Sequence, residues 1–197
     1  MSVHQISQAD TERDLIATEI LQLFEHYGNE DYDGEPVSQT SHMVQCSMLA
    51  THAGSDQELA LAALLHDIGH LLKHMQTTEA MAEYGVANHE GIGASYLRSK
   101  GFSERICAVV EKHVDAKRYL VATDSDYASR LSEASRKTLE YQGGAMTKEE
   151  TEAFEQHPFF RDIIKVRKFD EQGKSKDAAL IAISDFKHLI IEHLQKR

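Results

Sequence analysis

The stretch that most constrains this chain is Leu59-Ala60-Leu61-Ala62-Ala63-Leu64-Leu65-His66-Asp67-Ile68-Gly69-His70. The apolar run from Leu59 to Leu65 reads as the most buried helix in the molecule, yet polar side chains able to bind a metal stand at its end. A neutral imidazole and a carboxylate are both good ligands for first-row transition metals, so the adjacent His66 and Asp67 can reach one cation. His70 lies four residues after His66; on a continuous helix it shares that face and points at whatever the metal holds. A lone His-Asp pair is more often a hydrogen-bonded helix end, so the weight falls on the residues that accompany it.

At 197 residues the chain is most economically one domain, residues 1–197, large enough to bury a core without disulfides or a structural metal. Cys46 and Cys107 sit in apolar, helix-like segments without metal-ligand spacing, which fits a reducing cytoplasm. Residues 1–12 carry no basic and apolar leader pattern, and no apolar run approaches the ~20 residues of a membrane helix. The expectation is a soluble, cytoplasmic protein. A formal charge of -11 argues against nucleic acid or an anionic membrane as partner, both of which need a positive surface. A small anion is not excluded, because it responds to the local field of a pocket.

Only Pro36 and Pro158 interrupt a chain whose apolar residues recur at helical spacing, and the reading is all-α. A first helix is expected over about Thr11–Tyr27, with Leu15, Ile16, Ile20, Leu23, Phe24 and Tyr27 inward. Ser38 caps a second helix running to about Ala53, and Ser55-Asp56 caps the helix that ends in His66-Asp67. Further helices are expected over Val86–Ser99, closed by Gly101, and from Ser103 through His113. Ala128–Tyr141 follows, then a short helix opened by the Thr147/Glu150 capping box. Pro158–Phe169 ends at Asp170, and a last helix starts at Asp177 with Ile181, Phe186, Leu189 and Ile190 inward. Between the first two helices lies the acidic, turn-rich loop Glu30-Asp31-Tyr32-Asp33-Gly34-Glu35-Pro36.

Of twelve histidines, His42, His89 and His113 fall in helices around the His-Asp stretch, where periodicity predicts burial. Antiparallel helices can each bring one ligand to a common centre. A site built from His42, His66, Asp67, His89, His113 and Asp170 has too many ligands for one tetrahedral zinc but enough for two octahedral metals sharing a carboxylate. Four imidazoles and two carboxylates buried together also need a counter-charge.

The pattern His42, His66-Asp67 and Asp170 resembles that of the HD-domain metalloproteins, with His89 and His113 marking the two-metal subset. The loop Tyr32-Asp33-Gly34-Glu35, ten positions before His42, is similar to the tyrosine-bearing loop of HD-domain mixed-valent diiron oxygenases, the PhnZ-like family that cleaves 1-hydroxyphosphonates. His113-Val-Asp-Ala-Lys117, Leu131-Ser-Glu-Ala-Ser135 and Val166-Arg167-Lys-Phe-Asp170 agree with it, so the likeness spans roughly Tyr32 to Asp170. It implies an HD-domain helical bundle with a dinuclear metal site in its core. His42, His66, Asp67 and Asp170 would bind one iron, and Asp67 would bridge to a second completed by His89 and His113. The implied cofactor is an Fe(II)/Fe(III) pair with dioxygen as co-substrate, and the implied partner is a small hydroxyphosphonate.

The same likeness gives roles to the surrounding residues. Lys117, Arg167 and His70 would neutralise the phosphonate, and Ser135 would donate a hydrogen bond to it. Tyr32 would fill the open iron position until substrate arrives, with Glu35 holding the alternative state of the loop. The products would be phosphate with glycine, from a 2-amino substrate, or glycine betaine, from its trimethylammonium counterpart. The acidic residues Asp31, Asp33 and Glu35 lean the reading toward the trimethylammonium group, with Tyr32, Tyr84, Tyr96 and Tyr119 as candidate aromatic partners. The main rival is an HD-superfamily metal-dependent phosphohydrolase, which uses His42, His66-Asp67 and Asp170 without consuming oxygen. A non-catalytic binding protein is expected to have lost ligands that are all here, and the Lys117, Arg167 and His70 set disfavours an oxygenase of neutral polyols.

Overall fold

The computed structural model describes residues 8–32, 34–74 and 88–196, and among them all regular elements are helical apart from a single bridge between Asp31 and Ser38. In chain order these are α1 (Gln8–Tyr27), α2 (Gln39–His52), α3 (Gln57–Leu65), α4 (Ile68–Leu71), α5 (His89–Ser99) and α6 (Glu104–Thr123). After them come α7 (Tyr127–Arg130), α8 (Glu133–Tyr141), α9 (Lys148–Glu155), α10 (Phe160–Gln172) and α11 (Lys187–Gln195), with 3-10 turns at Leu72–His74 and Ile183–Phe186. None of the described helices is long and apolar enough to cross a membrane.

Helix α3 is the axis of the molecule. Its residues Leu59 to Leu65 are all buried, because α2, α6, α10 and α11 pack around it. A helix covered on every side needs no polar face, which is why this stretch reads as uniformly apolar. Helix starts follow the capping chemistry: the Ser38 hydroxyl accepts from the Ser41 N–H, Asp56 from the Leu59 N–H at 2.8 Å, and Ser103 from the Ile106 N–H at 3.0 Å. Thr147 and Glu150 form the reciprocal box at the start of α9. Each such cap contributes about 1 kcal/mol.

At the end of α3 the backbone leaves the helix at Asp67 (φ -105°, ψ 14°) and restarts in α4. His66 and His70 are therefore not on one continuous helix, contrary to the expectation from their spacing. Gly69 sets the approach of the next element. A Cβ placed there would lie 1.9 Å from the His89 carbonyl oxygen, so only glycine lets α4 meet the start of α5 this closely.

Four sequence expectations change. Leu15 is 62% exposed, and α1 turns Ala17, Ile20, Leu21, Leu23 and Phe24 inward instead. The helix expected over Ala128–Tyr141 is two, because Leu131 is extended (ψ 140°) and Ser132 caps α8 by accepting from the Ser135 N–H. Helix α10 continues to Gln172, so Asp170 lies in its last turn and not beyond its end. Asp177 starts no helix; Gln45 of α2 captures both the N–H and the carbonyl of Ser175 at 3.0 Å, holding this segment as a strap. Phe186 and Ile190 are buried as expected, whereas Ile181 is 45% exposed. The proposed start of the fifth helix at Val86 lies outside the described residues.

Candidate metal centre

Helices α2, α5, α6 and α10 and the α3–α4 junction each deliver candidate ligands to one buried point. His42, His66, Asp67, His89, His113 and Asp170 are all 4% exposed or less. They divide into two groups. His42 Nε2 lies 3.2 Å from His66 Nε2 and 3.4 Å from Asp170 Oδ1, and both imidazoles face Asp67 Oδ2, at 3.5 and 3.2 Å. His89 Nε2 and His113 Nε2 are 3.1 Å apart and face the other oxygen of the same carboxylate, Oδ1, at 3.3 and 3.2 Å. Asp67 thus turns one oxygen to each group.

The outer nitrogens fix how the rings are used. His42 Nδ1 is 3.0 Å from the Gly173 carbonyl, His66 Nδ1 2.8 Å from that of Ala63, and His113 Nδ1 2.7 Å from that of Val110. A carbonyl can only accept, so each Nδ1 carries the proton and each Nε2 presents its lone pair inward. Pairs of lone pairs aimed at one another at about 3 Å repel, and Asp67 Oδ2 and Asp170 Oδ1 are buried with no hydrogen-bond partner. The donor set therefore calls for positive charge between the groups, and two cations fit it. Without them the carboxylates draw protons in. Burial lowers the His66 pKa, but Asp67 beside it outweighs this and holds it at about 9. Burial raises Asp67, yet His66, His113 and His42 keep it well below the usual carboxylate range.

Cys46 is also close and forms, with His42 and His66, a group whose ligand atoms could hold a metal. Its sulfur sits 3.8 Å from His42 Nε2 and 3.9 Å from Nδ1, hence beside the ring instead of ahead of either nitrogen. It also contacts the Phe169 carbonyl at 3.6 Å.

Over the cluster opens a cavity of about 50 Å³ whose lining includes Tyr32, Glu35, His70, Lys117, Ser135 and Arg167. All the expected gate and anion-binding positions therefore converge here. The Tyr32 ring stacks on His42 with centroids 4.0 Å apart. Burial, with Asp67 and Asp170 nearby, raises the phenol well above its ordinary pKa. His70 stacks on His89 at 4.1 Å and is kept neutral by burial and the neighbouring His89.

Lys117 and Arg167 supply positive charge in different ways. Lys117 is 3% exposed and donates to the Thr138 hydroxyl at 2.9 Å and the Ser135 carbonyl at 3.4 Å; burial and the nearby Arg167 push its pKa down to about 7. Arg167 is committed on two sides. It donates to Asp170 Oδ2 at 2.5 Å, leaving Oδ1 for the cluster, and to Glu171 at 3.1 Å. Burial raises Glu171 to about 7, so this second partner is on the edge of protonation at neutral pH.

Sequence reasoning missed Lys174, which lines the cavity and donates to Glu35 Oε1 at 2.6 Å and to the Ser135 hydroxyl at 3.2 Å. No periodicity marks it, because it follows the end of α10. Thr138 was more accessible to such reasoning, lying one turn after Ser135 on α8. Among residues considered for a cationic substituent, Tyr96 and Tyr119 point elsewhere, donating to Glu19 and Glu155, and Asp31 is exposed. Asp33 and Tyr84 lie outside the described residues.

Residues 40–185 match a family model described as the HD domain. The chain is 43% identical over 155 residues to the [1-hydroxy-2-(trimethylamino)ethyl]phosphonate dioxygenase (glycine-betaine-forming) of Leisingera caerulea, covering 79% of this chain and 78% of that protein. It is 38% identical over 161 residues to the hydroxymethylphosphonate dioxygenase of Gimesia maris, covering 81% and 78%. An uncharacterized protein of Acanthamoeba polyphaga mimivirus is 41% identical over 177 residues, 90% of this chain and 81% of the relative.

Proposed function

The chain belongs to the HD-domain family, alongside relatives named as phosphonate dioxygenases, and from that premise we propose that it cleaves the carbon–phosphorus bond of a 1-hydroxyphosphonate with dioxygen. The observation that carries this reading is Asp67, whose two oxygens face two separate histidine groups. In this reading His42, His66, Asp67 and Asp170 would hold one iron, and Asp67 with His89 and His113 would hold a second. A mixed-valent Fe(II)/Fe(III) pair, when bound, supplies Lewis acidity toward the substrate hydroxyl and reducing power toward dioxygen. The products are inorganic phosphate and a carboxylate. For a 2-(trimethylamino)- or 2-amino-ethyl substrate that carboxylate is glycine betaine or glycine, and the reaction belongs to organophosphonate catabolism.

The residues of the chain then divide the work. Lys117 and Arg167 neutralise the phosphonate, Ser135 donates to it, and neutral His70 contributes an N–H. Lys117 donates to two neutral groups, the Thr138 hydroxyl and the Ser135 carbonyl, so its charge is available to a dianion. The Tyr32 phenol occupies the space above the cluster and, with Glu35, closes it against solvent until substrate displaces the loop. Excluding water in this way protects a reactive centre and strengthens the electrostatics inside.

The phosphohydrolase reading is tested against this one by an oxygen electrode. Iron-loaded protein with a 1-hydroxyphosphonate should consume dioxygen in step with phosphate release. Phosphate release at the same rate in its absence would assign the chain to the hydrolases.

A further inference from the structure

Tyr32, Glu35, Ser135 and Lys174 all line the cavity, and on the phosphonate reading a substituent on the substrate carbon would have to be accommodated among them. A quaternary or primary ammonium group would be recognised there by a carboxylate and an aromatic face. Both are already engaged. Glu35 accepts from the Lys174 ammonium at 2.6 Å, and the same ammonium stands 5.7 Å from the centroid of the Tyr32 ring. It also donates to the Ser135 hydroxyl at 3.2 Å. The Glu35 and Lys174 side chains are 8% and 13% exposed, so the pair is largely withdrawn from solvent. The other tyrosines with described side chains that could have formed a cage, Tyr96 and Tyr119, are bonded outside the cavity.

We propose that Lys174 is a specificity-determining residue that occupies the cation position of this cavity, so that the chain acts on 1-hydroxyphosphonates without an ammonium group, with hydroxymethylphosphonate as the simplest. The proposal rests on the phosphonate reading of the same site. A substrate bearing its own cation must expel Lys174 from Glu35 or place two positive charges side by side, and like-charge juxtaposition is a strong device for rejecting a partner. A substrate without that cation leaves the Glu35–Lys174 ion pair unopposed. This reverses the lean toward a trimethylammonium substrate drawn from the acidity of the loop alone.

The test compares hydroxymethylphosphonate with 1-hydroxy-2-(trimethylamino)ethylphosphonate on the full-length, iron-loaded protein. Binding is measured anaerobically by calorimetry, and turnover by coupled oxygen uptake and phosphate release. The wild type should prefer hydroxymethylphosphonate by at least about tenfold in both Kd and kcat/KM, the scale of one unfavourable charge contact. Lys174→Met should shift that ratio about tenfold toward the trimethylammonium compound, and Lys174→Arg, which keeps the charge, should retain the wild-type order. If Lys174→Met does not fold, the wild-type ratio and the arginine variant still decide. Preference of the wild type for the trimethylammonium compound would overturn the specificity proposal and leave the oxygenase reading intact. Selective binding of hydroxymethylphosphonate without oxygen uptake would do the reverse. No binding of either compound would overturn both.

Discussion

Replacing Gly69 by alanine should remove one metal group and leave the other. A Cβ at Gly69 would sit 1.9 Å from the His89 carbonyl oxygen and 2.7 Å from its carbonyl carbon. Ordinary van der Waals contact begins at 3.4 Å, so the first turn of α5 must retreat by 3.4 minus 1.9, or 1.5 Å, unless α4 moves instead. The contacted atoms belong to the backbone of a helix and cannot rotate away. His89 Nε2 is 3.3 Å from Asp67 Oδ1 and 3.1 Å from His113 Nε2, and metal–ligand distances tolerate only about 0.2 Å. A displacement several times that tolerance takes His89 out of the coordination sphere. His42, His66 and Asp170 come from α2, the end of α3 and α10, and are not pushed directly. The stability cost of such overpacking is about 1–3 kcal/mol, small enough for the variant to remain folded. Metal analysis of anaerobically loaded Gly69→Ala should therefore give about one metal per chain where the wild type gives two, with far-ultraviolet circular dichroism unchanged. Full two-metal occupancy in a folded variant would refute the reasoning.

Asp67→Ala should lose metal from both groups, since each depends on one of its oxygens; retained two-metal content would remove its bridging role. Lys117→Ala should raise KM by roughly 30-fold, corresponding to about 2 kcal/mol for a charge-assisted contact, with a smaller effect on kcat. Binding a dianion favours the protonated lysine, whose free-site pKa is about 7, so wild-type KM should climb as pH rises above that value. Lys117→Arg should flatten that climb, because guanidinium keeps its proton throughout. Tyr32→Phe keeps the ring that stacks on His42 but not the hydroxyl, so it should retain both metals and lose any visible phenolate-to-iron absorption. An unchanged spectrum would count against phenolate ligation.

The helical class and the six candidate ligands were legible in the sequence for a specific reason. His42, His89 and His113 interrupt apolar faces that must be buried, so their polarity is conspicuous. His66 and Asp67 stand out because they end a helix buried on all sides. Lys174 and Glu171 carry no such signal: one follows the last turn of α10 and the other looks like an ordinary charge on its solvent side. What gives them meaning is tertiary. The strap after α10 is held by Gln45, which brings Lys174 back over the cavity, and Glu171 reaches the inward-facing Arg167. Likewise the backbone turn at Asp67 is invisible to periodicity, which joined His66 and His70 into one helix although the chain breaks between them.

The proposed anion contacts and the candidate metal ligands share helices in this arrangement. Lys117 stands one turn after His113 on α6, and Arg167 stands three residues before Asp170 on α10, so each cation shares a rigid element with a candidate ligand. Arg167 is joined to Asp170 directly, at 2.5 Å, and donates also to the Tyr127 hydroxyl and to Glu171, each at 3.1 Å; burial raises the Glu171 pKa to about 7. A phosphonate entering beside Arg167 would compete with Glu171 for the guanidinium while leaving the Asp170 contact, and a protonated Glu171 yields that place at little cost. Removing the guanidinium should therefore disturb both functions. Arg167→Met should weaken phosphonate binding and also reduce metal retention in the His42 group, whereas Glu171→Gln should leave metal content unchanged. If Arg167→Met holds two metals as tightly as the wild type against a chelator, the link between the two functions is absent and Arg167 serves the anion alone.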